Sequence, residues 1–165
     1  MNYLSTYSSP LGEIRLLADE KDLYGLWFSD RKRAPFDTVG LSEKDLPVFR
    51  KTKEWLDHYF SGRDPGALPP LQITGSAFQQ AVFSELLHIP YGRSRSYGEI
   101  AKSLEKKTGK RVSAQAVGQA CGRNPLLLLI PCHRVITVKG GLGGYAGGIW
   151  RKEWLLRQES IPFIK

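Results

Sequence analysis

The chain has 165 residues and a formal net charge of +8, from 24 Lys and Arg against 16 Asp and Glu. That length buries a core without help from disulfides or metals. At 41% hydrophobic and 24% charged residues, a disordered or fibrous chain is excluded. The longest aliphatic run, residues 126–130, has five residues, far short of the ~20 that span a bilayer. The first six residues lack a basic segment followed by an apolar stretch, so no signal peptide is expected and the reading is a soluble, cytoplasmic protein with no membrane partner. Two cysteines, three histidines and no C-x-x-C spacing argue against a disulfide framework and a closed zinc site, so neither metal nor cofactor is expected.

In chain order, residues 4–7, 14–18 and 23–28 read as short strands, separated by turns at Ser9-Pro10-Leu11-Gly12 and Asp19-Glu20-Lys21-Asp22. They predict a three-stranded antiparallel meander. Residues 46–60 read as a helix, with Phe49, Leu56 and Phe60 on one face and Gly62 as its stop. Residues 62–70 are rich in Gly and Pro and read as a linker. Beyond it the chain turns helical. Ser76-Ala77-Phe78-Gln79 and Ser96-Tyr97-Gly98-Glu99 both fit capping boxes, each opening a helix. A turn with Gly109 leads to a third helix over residues 113–121, built of small residues and closed by Gly122. Residues 126–130 look like an apolar strand. Residues 140–148 hold six glycines and read as a loop around Tyr145. A last helix is expected over residues 150–159, ending in the acid Glu159.

The predicted fold is an α/β N-terminal domain over residues 1–72, a small antiparallel sheet plus helix. A mainly α, winged-helix-like domain over residues 75–165 follows, with a helix-turn-helix. Charge divides the same way. Residues 1–74 carry 10 basic and 11 acidic residues, whereas residues 75–165 carry 14 basic and 5 acidic. The basic half suits a polyanion as well as plain solubility. Within it, Cys132 follows Pro131 and precedes an imidazole and a guanidinium, surroundings that lower a thiol pKa. A thiolate is the attacking species in sulfur chemistry. Cys121, at a helix end, reads instead as a small buried hydrophobe.

Pro131-Cys132-His133-Arg134-Val135 resembles the active-site signature of the O6-alkylguanine-DNA alkyltransferases, also called methylated-DNA–protein-cysteine methyltransferases. Phe78-Gln79-Gln80-Ala81-Val82, Ile89-Pro90-Tyr91-Gly92, Ser96-Tyr97-Gly98-Glu99, Arg123-Asn124-Pro125, Gly144-Tyr145-Ala146-Gly147-Gly148 and Lys152-Glu153-Trp154-Leu155-Leu156 fall in the family's order and spacing. The resemblance is strong over residues 75–160 and weaker in the N-terminal half.

The resemblance implies repair of double-stranded DNA. An O6-alkylguanine, and by extension O4-alkylthymine, is rotated out of the stack and its alkyl group moves once to the cysteine. It implies Cys132 as acceptor, His133 as base acting through a water and Glu159 as the carboxylate that orients it. Tyr97 donates toward guanine N3, and Asn124 acts as the hinge asparagine. Tyr145 walls the pocket, and the Ala146 amide meets O6. The carbonyls of Cys132 and Val135 accept from the guanine amino group, and Leu127 stands at the alkyl pocket where some members have proline. The helix over residues 113–121 enters the minor groove, where Ser113, Ala114, Ala116 and Gly118 permit close approach. Lys110, Arg111, Arg123 and Arg134 complete the DNA-binding set. Gln115 stands where the family has an arginine that fills the gap left by the flipped base. It is expected to plug the gap without charge. A monomer without cofactor, nucleoid-associated when bound to DNA, is expected. The residues also admit a DNA-binding module that recognises alkylated bases without transfer, a cysteine hydrolase and an RNA-binding protein.

Overall fold

A computed structural model describes residues 1–165. The chain divides into two compact units, Met1–Thr74 with Pro125–Leu127, and Gly75–Asn124 with Leu128–Lys165. Residues 125–127 thus belong with the first unit, although the sequence reading put them in the second. No helix is long and apolar enough to cross a membrane.

The first unit holds strands β1 (Tyr3–Ser9), β2 (Gly12–Ala18), β3 (Leu23–Phe28) and β4 (Ser42–Glu43) in the order β3-β2-β1-β4. The first three form the expected antiparallel meander, with Ser9 paired to Gly12 across a two-residue turn. The next turn is closed by one side chain: the Asp19 carboxylate accepts from the amides of Lys21 and Asp22 at 2.8 and 2.7 Å. The fourth strand corrects the three-stranded expectation. It is two residues long, exposed and parallel to β1, so it leaves no alternation to read. Helix α1 (Pro47–Phe60) packs Val48, Phe49, Trp55, Leu56 and Tyr59 into the core. It starts with Pro at its first turn, where the missing N–H costs nothing. On the outer edge of β3, Leu23 exchanges backbone hydrogen bonds with residues 70 and 72, and Leu26 with residues 125 and 127. That edge is therefore not open to another chain.

The second unit contains α2 (Ala77–Leu86), β5 (Arg95–Ser96), α3 (Tyr97–Thr108), α4 (Ala114–Cys121), β6 (Val135–Ile136) and α5 (Ile149–Gln158). Both capping boxes form. Ser76 and Gln79 satisfy each other's amides, and so do Ser96 and Glu99; each cap is worth about 1 kcal/mol. Gly109 ends α3 in the left-handed conformation, φ 70°. Ser113 caps α4 by accepting from Ala116 N at 3.0 Å. Strands β5 and β6 pair in parallel, Arg95 with Val135 and Ser96 with Ile136, which fixes the start of α3 beside the chain that leaves Cys132.

Residues 126–130 do not form the expected strand. They are buried, but Leu128 has φ 72°, a left-handed backbone that costs a bulky residue of order 1–3 kcal/mol. One such residue ends any extended ladder. Burial explains the apolar composition equally well without a strand.

Candidate active site

The site is built around a short reversal. Pro131 has φ −81° and ψ 61°, close to an inverse γ-turn, and Cys132 N donates to Ile130 O at 2.8 Å. Residues Cys132–Arg134 continue as one turn of 3-10 helix. Behind it, the buried Asn124 side chain donates to Ile130 O at 2.8 Å. Proline, asparagine and the strained Leu128 together fix where Cys132 lies. Only 2% of Cys132 is exposed, yet it lines a cleft of about 740 Å³.

The sequence reading named seven residues that the structure brings to this cleft. Cys132 shares it with Tyr97 at the start of α3, with Tyr145 and Ala146 of the glycine loop, and with Ala114, Gln115 and Gly118 of α4. Cys121 and Gln119 line it too. Burial pushes the Cys121 thiol well above its ordinary pKa, and the nearby Cys132 adds to this, so Cys121 stays protonated.

Asn124, His133 and Glu159 lie buried rather than in the cleft wall. His133 Nε2 meets Glu159 Oε2 at 2.6 Å. The same carboxylate accepts from Arg134 Nε at 2.7 Å and from Gly92 N at 3.0 Å through Oε1. Burial alone would raise the Glu159 carboxyl. The hydrogen bond and charge of His133, then Arg134 and the Gly92 amide, outweigh it and hold the pKa at about 2. A carboxylate at the C-terminus of α5 opposes the helix dipole, so these donors are what keep it there. Burial lowers the His133 pKa, against the pull of Glu159 and helped by Arg134 and Lys152. At rest the pair is therefore a neutral imidazole on an ionised carboxylate whose charge Arg134 compensates. The imidazole is a base able to accept a proton.

Two residues lie elsewhere than expected. Arg134, expected to meet DNA, is buried: it binds Glu159 and donates to Ile89 O at 2.8 Å. The tight turn after Pro131 sends it inward. Leu127, expected at the alkyl pocket, is fully buried in the first unit, with its amide donating to Leu26 O at 3.1 Å. Val135 is buried, and its carbonyl accepts from Lys152 Nζ at 2.6 Å; a carbonyl has two lone pairs, so one acceptor position is left over. Lys110, Arg111, Ser113 and Arg123 are exposed around α4, and Ala116 is half-buried on it.

Lys152 was not singled out from sequence. It is 0% exposed and also donates to Gly144 O at 3.1 Å and to Tyr97 Oη at 3.2 Å. Burial lowers its pKa to about 8, with Cys132 and Cys121 acting the other way. Burial, then the two cysteines, raises that of Tyr97, so Tyr97 keeps its phenolic proton. The signal for Lys152 was present: it lies seven residues before Glu159, two turns on the same helix face, next to Leu155 and Leu156. Gly143, with φ 68°, passes so close that a Cβ would sit 2.6 Å from Tyr97 Oη.

The family description "6-O-methylguanine DNA methyltransferase, DNA binding domain" matches residues 77–161, and "6-O-methylguanine DNA methyltransferase, ribonuclease-like domain" matches residues 2–68. A methylated-DNA–protein-cysteine methyltransferase of Haemophilus influenzae is 36% identical over 98% of this chain and 88% of its own length. The constitutive one of Bacillus subtilis is 39% identical over 99% and 98%. The crystal structure of Mycobacterium tuberculosis O6-methylguanine methyltransferase superposes with a TM-score of 0.84 at 39% identity, covering 96% of this chain and 93% of that one. A Mycobacterium tuberculosis relative solved in complex with DNA gives 0.83 at 37% identity, covering 97% and 95%. With both parts matched in order along nearly the whole chain, the protein belongs to the 6-O-methylguanine DNA methyltransferase family.

Proposed function

We propose that this protein repairs duplex DNA by moving an alkyl group, chiefly methyl, from O6 of a flipped guanine to Cys132 Sγ, once per molecule. The observation that carries this is Cys132 in the cleft, with the next residue, His133, buried and held on the Glu159 carboxylate at 2.6 Å. O6 of a stacked guanine is out of reach of a thiolate, so the base must leave the duplex. The cleft has room for one base, and its rim is the helix α4, whose small residues suit entry into the minor groove.

In this reading His133 takes the Cys132 proton through a bridging water, and the imidazolium that forms is stabilised by Glu159. Sulfur attacks the alkyl carbon and the carbon–O6 bond breaks. The electron pair left on the guanine is neutralised by a proton from Tyr97 at N3. Lys152 donates to Tyr97 Oη and so turns the phenolic O–H toward the base, and its charge stabilises the phenolate left behind. The product is a thioether on Cys132 and an unmodified guanine. Gln115 occupies the gap in the stack. The basic charge of the second unit meets the phosphates through Lys110, Arg111 and Arg123.

Peptide mass spectrometry after incubation with a duplex holding one O6-methylguanine tests this. The expected result is one added methyl group on the peptide containing Cys132, and none with undamaged duplex. Tight binding without a mass change would make the protein a reader of damage and not a repair protein.

A further inference from the structure

Helix α4 carries a second amide that the alkyl-transfer reading does not use. Gln115 and Gln119 are both exposed and both line the cleft. They are four residues apart, so they lie side by side on one face of the helix. Gln119 is about 6 Å further along the axis, at about 1.5 Å per residue. That exceeds the roughly 3.4 Å between successive base pairs. If Gln115 fills the gap left by the flipped base, Gln119 cannot share it and lies against a neighbouring pair.

The chemistry of the ridge is specific. Between Ser113 and Gly122, α4 presents no charged side chain. Lysine and arginine only donate hydrogen bonds, whereas an amide both donates and accepts. In the minor groove every base pair offers acceptors, and the guanine amino group is the one donor that separates G·C from A·T. We infer that Gln119 is a specificity-determining residue: its Oε1 accepts from the amino group of a guanine in the pair next to the lesion, so a G·C neighbour is repaired faster. The inference rests on minor-groove entry of α4 and adds a sequence preference to it.

The test compares methyl transfer to Cys132 from two sets of O6-methylguanine duplexes at sub-saturating protein. One set has a G·C pair on either side of the lesion, and in the other that guanine is replaced by inosine. Inosine lacks only the amino group. The wild-type protein should react about fivefold faster with guanine on one side, the worth of one neutral hydrogen bond. Q119A should react with both duplexes at one rate, near that of wild type on inosine. Q115A should slow transfer from both and keep their ratio. Gln119 is exposed, so its truncation leaves the fold intact. Equal wild-type rates on both duplexes, or an unchanged ratio in Q119A, would overturn the inference. Absence of methyl transfer from every duplex would instead overturn the alkyl-transfer reading, and the inference with it.

Discussion

Glu159→Gln is the most informative single change, because one carboxylate serves both fold and chemistry. It holds His133 at 2.6 Å through one oxygen and Arg134 at 2.7 Å through the other. Its pKa lies well below the ordinary 4.5, at about 2, because the His133 and Arg134 donors favour the anion over the cost of burial. Removing one member of a buried ion pair typically costs about 3–5 kcal/mol, because the other charge stays buried. The amide keeps the size and one acceptor, so we expect a loss of about 3 kcal/mol at pH 7, read by urea denaturation. The folded-state pKa is depressed, so this stability is complete above pH 4.5 and is lost as pH falls through about 2. Wild type and variant should therefore converge in acid. Methyl transfer should fall by about 10²-fold or more, the usual worth of positioned acid–base help. The double variant E159Q/R134M separates the two roles: it no longer buries an unpaired guanidinium, so part of the stability returns, while transfer stays low because His133 still lacks its carboxylate. Near-wild-type transfer by E159Q, or a double variant less stable than the sum of the single losses, would refute this account.

Lys152→Met should reduce transfer about tenfold, less than the roughly 10²-fold of direct acid–base help because Lys152 acts through Tyr97, and cost little stability at pH 7, because a buried ammonium is itself unfavourable; rates and urea midpoints check both. The Lys152 pKa of about 8 lies below its ordinary 10.5, so the unfolded chain holds the extra proton between those values and Lys152 makes stability rise with pH there; the K152M protein should lack that rise. Gly143→Ala places a methyl 2.6 Å from Tyr97 Oη at a left-handed backbone and should cost about 1–3 kcal/mol together with slower transfer, visible as a lower urea midpoint and a lower rate constant. Gln115→Ala should slow transfer from duplex DNA but leave transfer from free O6-methylguanine base unchanged; unaltered duplex rates would remove its gap-filling role. Affinity for DNA should fall at least about tenfold between about 50 and 200 mM salt, measured by fluorescence anisotropy.

Local signals in the sequence translated well into structure. Serine followed by Gln or Glu three residues later became two complete capping boxes, and Ser113 capped α4, because a cap is satisfied within its own first turn. Cys132, Tyr97, Tyr145 and Gln115 were legible through the family resemblance, and all line one cleft. What escaped depends on partners distant in sequence. Strand β4 has two residues and exists through pairing with β1. Arg134 reads as surface charge until Glu159, 25 residues away, is seen beside it. Residues 126–130 have strand composition, but composition reports burial and not φ, and Leu128 turns left-handed. Lys152 looked like one more lysine of a basic half because its three hydrogen-bond partners are two backbone carbonyls and a phenol, groups that leave no pattern of opposite charge.

The approach to the nucleophile is unusually short of freedom. Between Asn124 and Cys132 lie two prolines, one left-handed leucine and an asparagine clamp across the segment's end. Ordering a backbone residue costs about 1–2 kcal/mol, and here folding has already met that cost before any ligand arrives. A loop that is already rigid does not close over its substrate. In an encounter with duplex DNA the sulfur is then the stationary target, and the nucleotide is the part that moves. Under the proposed alkyl transfer, the deformability of the DNA around a lesion, more than any rearrangement of the protein, would set how often the two atoms meet.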